Sequence, residues 1–539
     1  MAAIAPPAVG SVWINTPAHR WEDLHGIPTV LAFWSIGCDA SVVLLRKLQK
    51  LQHQFGASIQ VIAVHSPRFE AGGEVEQVAE TVASLKLSIP VLHDPQLETF
   101  HRYAPGGWPA TVFVHANQRV AGVVLGAESD IHADVVSHLQ VEPSHQPPKF
   151  RVGYKPPRPA TELAWPSGVA LLNGTGLVAI SDRGHDRIVL AIADPISHTV
   201  TVTSILEGIS APGRLEATGD GSFVVTQPDA GTVLLVNPDS RSVSPLCTGM
   251  VRPTAVCVDL DGSVVVADAG ADKLFRIPAE AVASGTECTP LHIAGSGFTG
   301  QSDGPAGRAS LSQPNGMCRT TKGVLFTDSA SHNIRILTND GRVFSITNNS
   351  PTHHGLVDGP APSALLTRPA DIAGRPDGSL VIVDQLNNRL RSLHGGRIAT
   401  IGARGLLRPE AACALIDGSV IVADTGNHRL VLVDADQSSA CVMRLDGMER
   451  VLSMGAAPTV RGNAGLPLRL GYPSPGKGPW EVSVASDPPD LLVAPLRVVR
   501  TEAGGEVVVN LGKPGEGILT VTSVSTGAQR SIKLPLQVR

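Results

Sequence analysis

The sequence predicts a multidomain protein: an α/β region, then a six-bladed β-propeller, then a small all-β module. Three observations carry this. Strand-like and helix-like patterns alternate over residues 1–142, a proline-anchored repeat recurs six times over residues 161–445, and short alternating apolar runs fill residues 455–539. The chain's 539 residues exceed one ordinary core. Aromatics are 4% of residues while Gly (55) and Pro (42) are abundant, the balance of many short strands and turns. The net charge of −5 argues against a broad nucleic-acid surface, and no run is apolar and long enough to span a membrane.

In the first region, TVLAFW (29–34) and IQVIAVHS (59–66) read as buried strands. Leu44, Leu48, Leu51 and Phe55 line one face of a helix from about Ala40 to Phe55. ETVASLKL (80–87) reads as helix, and IPVLHD (89–94) and ATVFVH (110–115) as extended. Alternation of this kind implies a sheet with crossover helices.

Cys38 falls at the turn between the first strand and that helix, where unpaired backbone N–H groups and the helix dipole stabilise a thiolate. Together with GGWPATVFV (106–114), the segment FWSIGCDAS (33–41) resembles thioredoxin-like proteins. The resemblance implies that Pro109 is a cis proline facing Cys38, and that Trp34 matches the Trp four residues before the reactive Cys. Cys38, Ser41, Pro109 and Trp34 are therefore the candidate site residues. The departures are equally plain: Ser41 stands where a resolving Cys would be, Ala32 where a buried carboxylate would relay protons, and Asp39 sets a negative charge beside the sulfur. The next Cys is at 247, so a dithiol cycle within this region is excluded. What remains is monothiol chemistry, a mixed disulfide with glutathione or a partner or a sulfenic acid, with Ser41 Oγ as a donor to the sulfur, or an idle Cys kept for docking.

Residues 143–160, PSHQPPKFRVGYKPPRPA, hold six Pro and four basic residues with no acid, and read as a solvated, extended linker. Repeats then begin at Pro166, Pro212, Pro253, Pro314, Pro369 and Pro409. Nine residues after the Pro, five copies carry Gly (221, 262, 323, 378 and 418); an apolar strand follows, then Asp182, Asp268, Asp328, Asp384 or Asp424. Copy two has Gln227 instead of the Asp. Four short strands per repeat signal propeller blades.

These copies resemble NHL repeats, and DGSVIVADTGNHRLVLV is close to that pattern. The inserts SDGPAGRASLSQP and VDGPAPSALLTRP agree, each placing Asp eleven residues before the blade Pro. The repeated Asp is expected to cap turn N–H groups and to meet Arg187, Asn333, Arg335, Asn388, Arg389 and Arg429. Cys257, Cys318 and Cys413, each four residues after a blade Pro, read as small buried strand residues. His185, His332, His353, His354 and His428 lack metal-ligand spacing, and no metal or cofactor is predicted. Beyond residue 455, EVSVAS, LRVVR, GEVVVNL, GILTVTSV and SIKLPLQV read as a β-sandwich-like module.

The order of parts resembles the NHL repeat-containing protein 2 family, including VIAVHSPRF (61–69), and implies a cytoplasmic protein whose reaction the resemblance does not supply. Scattered, odd-numbered Cys and a start, MAAIAPPAVG, without a basic or long apolar segment point the same way. The expectation is a redox-linked interaction protein with Cys38 as its thiol and a protein partner docked on the propeller. The alternatives are a scaffold with a degenerate thioredoxin-like domain and, further off, a thiol peroxidase or thiol–disulfide transferase.

Overall fold

The computed structural model describes residues 12–448, apart from 69–72, 153–160, 173–175, 403 and 438, together with the strands between 460 and 538. The first region contains β1 (Val12–Trp13), β2 (Thr29–Trp34), α1 (Asp39–Phe55), β3 (Gln60–His65), α2 (Val75–Ser84), β4 (Val91–His93), α3 (Glu98–Tyr103), β5 (Ala110–Val114), β6 (Val120–Leu125) and α4 (Ile131–Leu139). The strand order is β1-β4-β3-β2-β5-β6. β3 runs parallel to β2 and to β4, whereas β5 runs antiparallel to β2 and β6 to β5.

Strand alternation explains the central position of β2. Val30, Ala32 and Trp34 face the core that takes Leu44, Leu48, Leu51 and Phe55 of α1. Leu31 and Phe33 face the opposite core, with Ile62, Val64 and Tyr103. The helix expected over 80–87 instead spans Val75–Ser84. Lys86 has φ of 50°, which ends the helix, and Leu87 reaches the core from the turn that follows.

Six sheets of four or five strands make the propeller. The inner strands are Pro166–Leu171, Leu215–Ala217, Pro253–Val258, Pro314–Thr320, Pro369–Gly374 and Ala411–Ala414, and the last packs against the first to close the ring. A strand at Arg444–Asp446 pairs in parallel with Thr199–Thr201, adding a fifth strand to blade 1 from the far end of the ring. In blades 4 and 5 the fifth strand comes from the inserts, Gly304–Pro305 and Gly359–Pro360. The insert aspartates hold these strands in place. Asp303 accepts from Arg335 at 2.9 Å and Asp358 from Arg391 at 2.6 Å.

The repeated Asp anchors the loop ahead of its own blade proline. Asp182 accepts from Ala164 N–H, Asp328 from Ser312, Asp384 from Thr367 and Asp424 from Leu407 (2.6–2.7 Å), while Asp268 accepts from Val251 and Arg252. Gln227 reaches the same loop of blade 2 with reversed polarity, donating to Ser210 O at 2.8 Å. Arg187, Arg335 and Arg429 pair with their blade's Asp as expected, but in blade 5 the partner of Asp384 is Arg391, not Arg389. Arg389 lies directly opposite Asp384 in the strand register and donates to Asn388 O instead. Asn333 likewise turns away from Asp328 and donates to Asn349 O at 2.8 Å.

Four residues after the Asp, a side chain links one blade to the next. Asp186, Asp272, His332, Asn388 and His428 have φ between 51° and 62°. They accept the N–H of Ala211, Gln313, Arg368, Arg408 and Trp165, the residues directly before the next blade's proline. The last of these joins blade 6 to blade 1. His332 and His428 thus have a structural task as acceptors.

Residues 143–152 of the Pro-rich segment are described, and they are mostly exposed apart from Phe150. Phe150 is 2% exposed and packs in the β2–β3 core, its N–H donating to Gln60 Oε1 at 2.7 Å. Ser144 N–H donates to Phe55 O, and Thr16 Oγ1 donates to Arg151 O. The Phe150 ring adds buried apolar area to these backbone bonds. Lys155 lies outside the described residues.

The contact pattern makes Met1–Asp446 one unit and Gly447–Arg539 a second. In the second, the described strands form one sheet of four and one of three. The side chains on which a β-sandwich-like packing would rest lie outside the described residues.

Candidate functional site

Cys38 is the N-cap of α1, with extended backbone (φ −118°, ψ 103°), and it is 6% exposed. What covers it is the propeller. Gly37 has φ of 78°, and a Cβ there would lie 2.9 Å from Arg368 Cδ. Only glycine lets that arginine pass over the turn.

Three propeller loops meet the first residues of α1. Gln313 Oε1 accepts from Asp39 N–H at 3.0 Å and from Arg368 Nη1 at 3.2 Å. Two donors on that oxygen leave the amide nitrogen to face Cys38 Sγ, at 3.7 Å. The Asp39 carboxylate accepts from Arg252 Nε at 2.8 Å and from Arg368 Nη2 at 2.6 Å. Burial by itself would push this carboxyl up, but the guanidinium groups of Arg368 and Arg252 more than offset it and hold it at about 2. Asp39 is therefore a neutralised, structural anion, contrary to the expectation that it opposes a thiolate. Arg252 continues to Asp229 at 2.8 Å, which also meets Arg46 of α1. Around the rim, Arg408 pairs with Glu80 of α2 at 3.1 Å and Lys86 with Asp186 at 2.7 Å.

Gln313, Arg252, Arg368 and Arg408 share one sequence position, directly before a blade proline, and so does Trp165. The Asp anchors and the blade-to-blade acceptors hold these loops, so the repeat itself aims the side chains at α1 and α2. Sequence reasoning missed them. The available signal was three Arg and one Gln before blade prolines in a chain of net charge −5.

The other candidate residues have contacts of their own. Ser41 is fully buried, and its Oγ accepts from Ser35 N–H at 3.5 Å, which braces the turn. Trp34 is 1% exposed in the sheet core and meets His65 edge-on, ring centroids 4.8 Å apart. The Trp108–Pro109 peptide is cis, at the end of β5 that runs beside the 35–38 turn through the Phe33–Ala110 register pair. A buried His pair supports the same turn: His65 Nε2 accepts from Ile36 N–H at 3.4 Å, and His65 Nδ1 lies 3.1 Å from His93 Nδ1. Burial, with His93 alongside, pushes His65 down to about 3, so it is neutral.

Between Cys38 and the propeller axis lies a cavity of about 130 Å³, lined among others by Asp39, Trp165, Arg214, Arg252, Arg368 and Glu410. Trp34, Ser41 and Pro109 do not line it. Deeper in the ring, Cys413 Sγ accepts from Leu171 N–H at 3.1 Å, and Glu216 accepts from Val258 N–H at 3.1 Å in the neighbouring blade. Burial pushes Cys318 and Cys413 up to about 12. These thiols serve as strand links rather than nucleophiles.

The fold and site define a class: a six-bladed propeller carrying an α/β region whose lone thiol is pressed against the propeller face. No family model matches the chain. The chain is similar to NHL repeat-containing protein 2 of Gallus gallus, 24% identical over 199 residues, and of Homo sapiens, 23% over 191 residues. The matched spans cover 35% and 34% of this chain but only 27% and 26% of those proteins. The thiol-disulfide oxidoreductase YkuV of Bacillus subtilis is 27% identical over 82 residues, 15% of this chain and 55% of that protein. Similarity to such oxidoreductases suggests a thioredoxin-like fold for the first region. Among the described residues, no helix is long and apolar enough to cross a membrane.

Proposed function

We propose that this protein is a redox-linked interaction protein, in which a thioredoxin-like region presents the single thiol of Cys38 and the propeller carries a protein partner. The observation that carries the reading is the placement of Cys38 Sγ at the N-terminus of α1 with an amide donor, Gln313 Nε2, 3.7 Å away. In the reaction, a Cys38 thiolate attacks one sulfur of a partner or glutathione disulfide. A bond forms between Cys38 Sγ and that sulfur, the original S–S bond breaks, and the leaving thiolate takes a proton from water. With Ser41 in place of a second thiol, an external thiol must resolve the product. All seven cysteines are free, in keeping with a reducing, cytoplasmic setting.

A second reading, a scaffold whose thiol is idle, is favoured by the 6% exposure of Cys38 and by Ala32 in the β2 core where a proton-relaying carboxylate would sit. Treatment of the full chain with glutathione disulfide separates the two. The redox reading expects one glutathionyl group on Cys38, found by peptide mass mapping, that persists until dithiothreitol is added and is absent in Cys38→Ala. A chain that stays unmodified at Cys38 supports the scaffold.

A further inference from the structure

Gln313 belongs to blade 4, 275 residues from Cys38, yet its carboxamide donates to the sulfur. Its orientation is dictated by its neighbours. Asp39 N–H and Arg368 Nη1 both donate to Oε1 and fix the carboxamide, while Asp272 accepts the Gln313 backbone N–H at 2.6 Å and fixes the main chain. The loop cannot drift, because Ser312 N–H is bonded to Asp328. Ser41 Oγ, which the sequence offers for this role, accepts the Ser35 N–H.

We infer that Gln313 is a positioning residue of the thiol site, and that the propeller supplies the hydrogen bond that stabilises the Cys38 thiolate. The thiol site is therefore composite, and the α/β region by itself holds an incomplete one. This rests on the redox reading above. A donor to sulfur favours the charged form over the neutral one. Apart from Arg68, the charged and titratable groups around the sulfur do not favour the thiolate. Asp39 is neutralised by Arg252 and Arg368. Arg68, which burial pushes down and the Cys38 sulfur pulls back up, is a cation that favours the thiolate too, and it is unchanged in every Gln313 variant. His332 and His65 are neutral, both at about 3, and His354 is pushed below its ordinary value by burial. Asp272, raised to about 6 by burial, stands behind Gln313. From about pH 7 upward none of these carboxyl or imidazole groups changes charge, so a shift in thiol titration there reports on Gln313.

The test follows Cys38 alone, by peptide-resolved isotope-coded iodoacetamide labelling of the full chain across pH. Gln313→Ala should move the pH midpoint of Cys38 alkylation upward by about one unit. Gln313→Glu, which keeps the acceptor for Asp39 N–H and Arg368 but offers the sulfur a carboxylate, should move it further. A faster plateau with an unmoved midpoint means Gln313 only shields the sulfur, and overturns the inference. If the midpoint stays put while wild type still forms the Cys38 glutathione adduct, this inference fails and the redox reading stands. If Cys38 neither alkylates nor forms the adduct, both fail.

Discussion

Asp39 and Arg368, 329 residues apart in sequence, meet in a 2.6 Å ion pair buried between α1 and the blade 5 loop. Arg252 completes the carboxylate's surroundings from blade 3. A single carboxylate thus ties the thiol-bearing turn to two blades, and the sulfur beside it is covered as a result.

Removing that carboxylate leaves two arginines buried without their anion. Asp39→Ala is expected to cost about 3–5 kcal/mol of unfolding stability in urea titrations at neutral pH. The pH dependence has a definite sign. Because the folded carboxyl is held at about 2, below its ordinary 3.8, its contribution is complete above about pH 4 and is lost as pH falls toward 2. Wild type should lose stability over that window more steeply than Asp39→Ala.

Glu216 behaves oppositely. Burial, with Asp371 nearby, raises it to about 8 although its backbone bond to Val258 opposes the rise. Folded protein therefore binds this proton where unfolded chain has released it, and stability falls as pH rises from about 4.5 to 8. Asp272 and Asp384, both raised to about 6 by burial, share the lower part of that window. Glu216→Gln keeps an acceptor for Val258 N–H. It should flatten the fall between about pH 6 and 8 and raise stability at the upper end.

His428 accepts the Trp165 N–H and so joins the last blade to the first. His428→Ala should cost about 1–3 kcal/mol by orphaning that buried N–H. His428→Asn should recover most of it, since Asn388 performs the same task at φ 53° one blade earlier. A thermal melt of the three proteins checks this.

Phe150 anchors the Pro-rich segment. Trypsin should cut after Lys149 slowly in wild type and faster in Phe150→Ala. Equal rates would mean the segment is held by the backbone contacts of Ser144, residue 150 and Arg151 rather than by the Phe150 ring.

Local pattern made most of the architecture legible. The 4-3-4 apolar spacing of α1, the blade prolines and the glycines nine residues later each reflect a constraint on a few neighbouring residues, and such constraints are visible in one chain. The Arg391 partner of Asp384 was not, because choosing between two arginines two residues apart depends on the insert's Asp358, which claims the same guanidinium. The cover over Cys38 was harder still. Gln313, Arg252 and Arg368 come from three blades, and nothing local says that their loops converge on residues 37–39. Asp39 read as a charge that opposes a thiolate because its two guanidinium partners are more than two hundred residues away.

Propeller loops close over Cys38, which is 6% exposed. Native full-length protein should be treated in parallel with iodoacetamide and with a bulky polyethylene-glycol maleimide, and Cys38 modification compared with that in the urea-unfolded chain. A closed face predicts that the bulky reagent is excluded from Cys38 in the native protein while the small one still reaches it through the cavity, and that both modify the unfolded chain. Modification of native Cys38 by the bulky reagent at the unfolded-chain rate would contradict the claim.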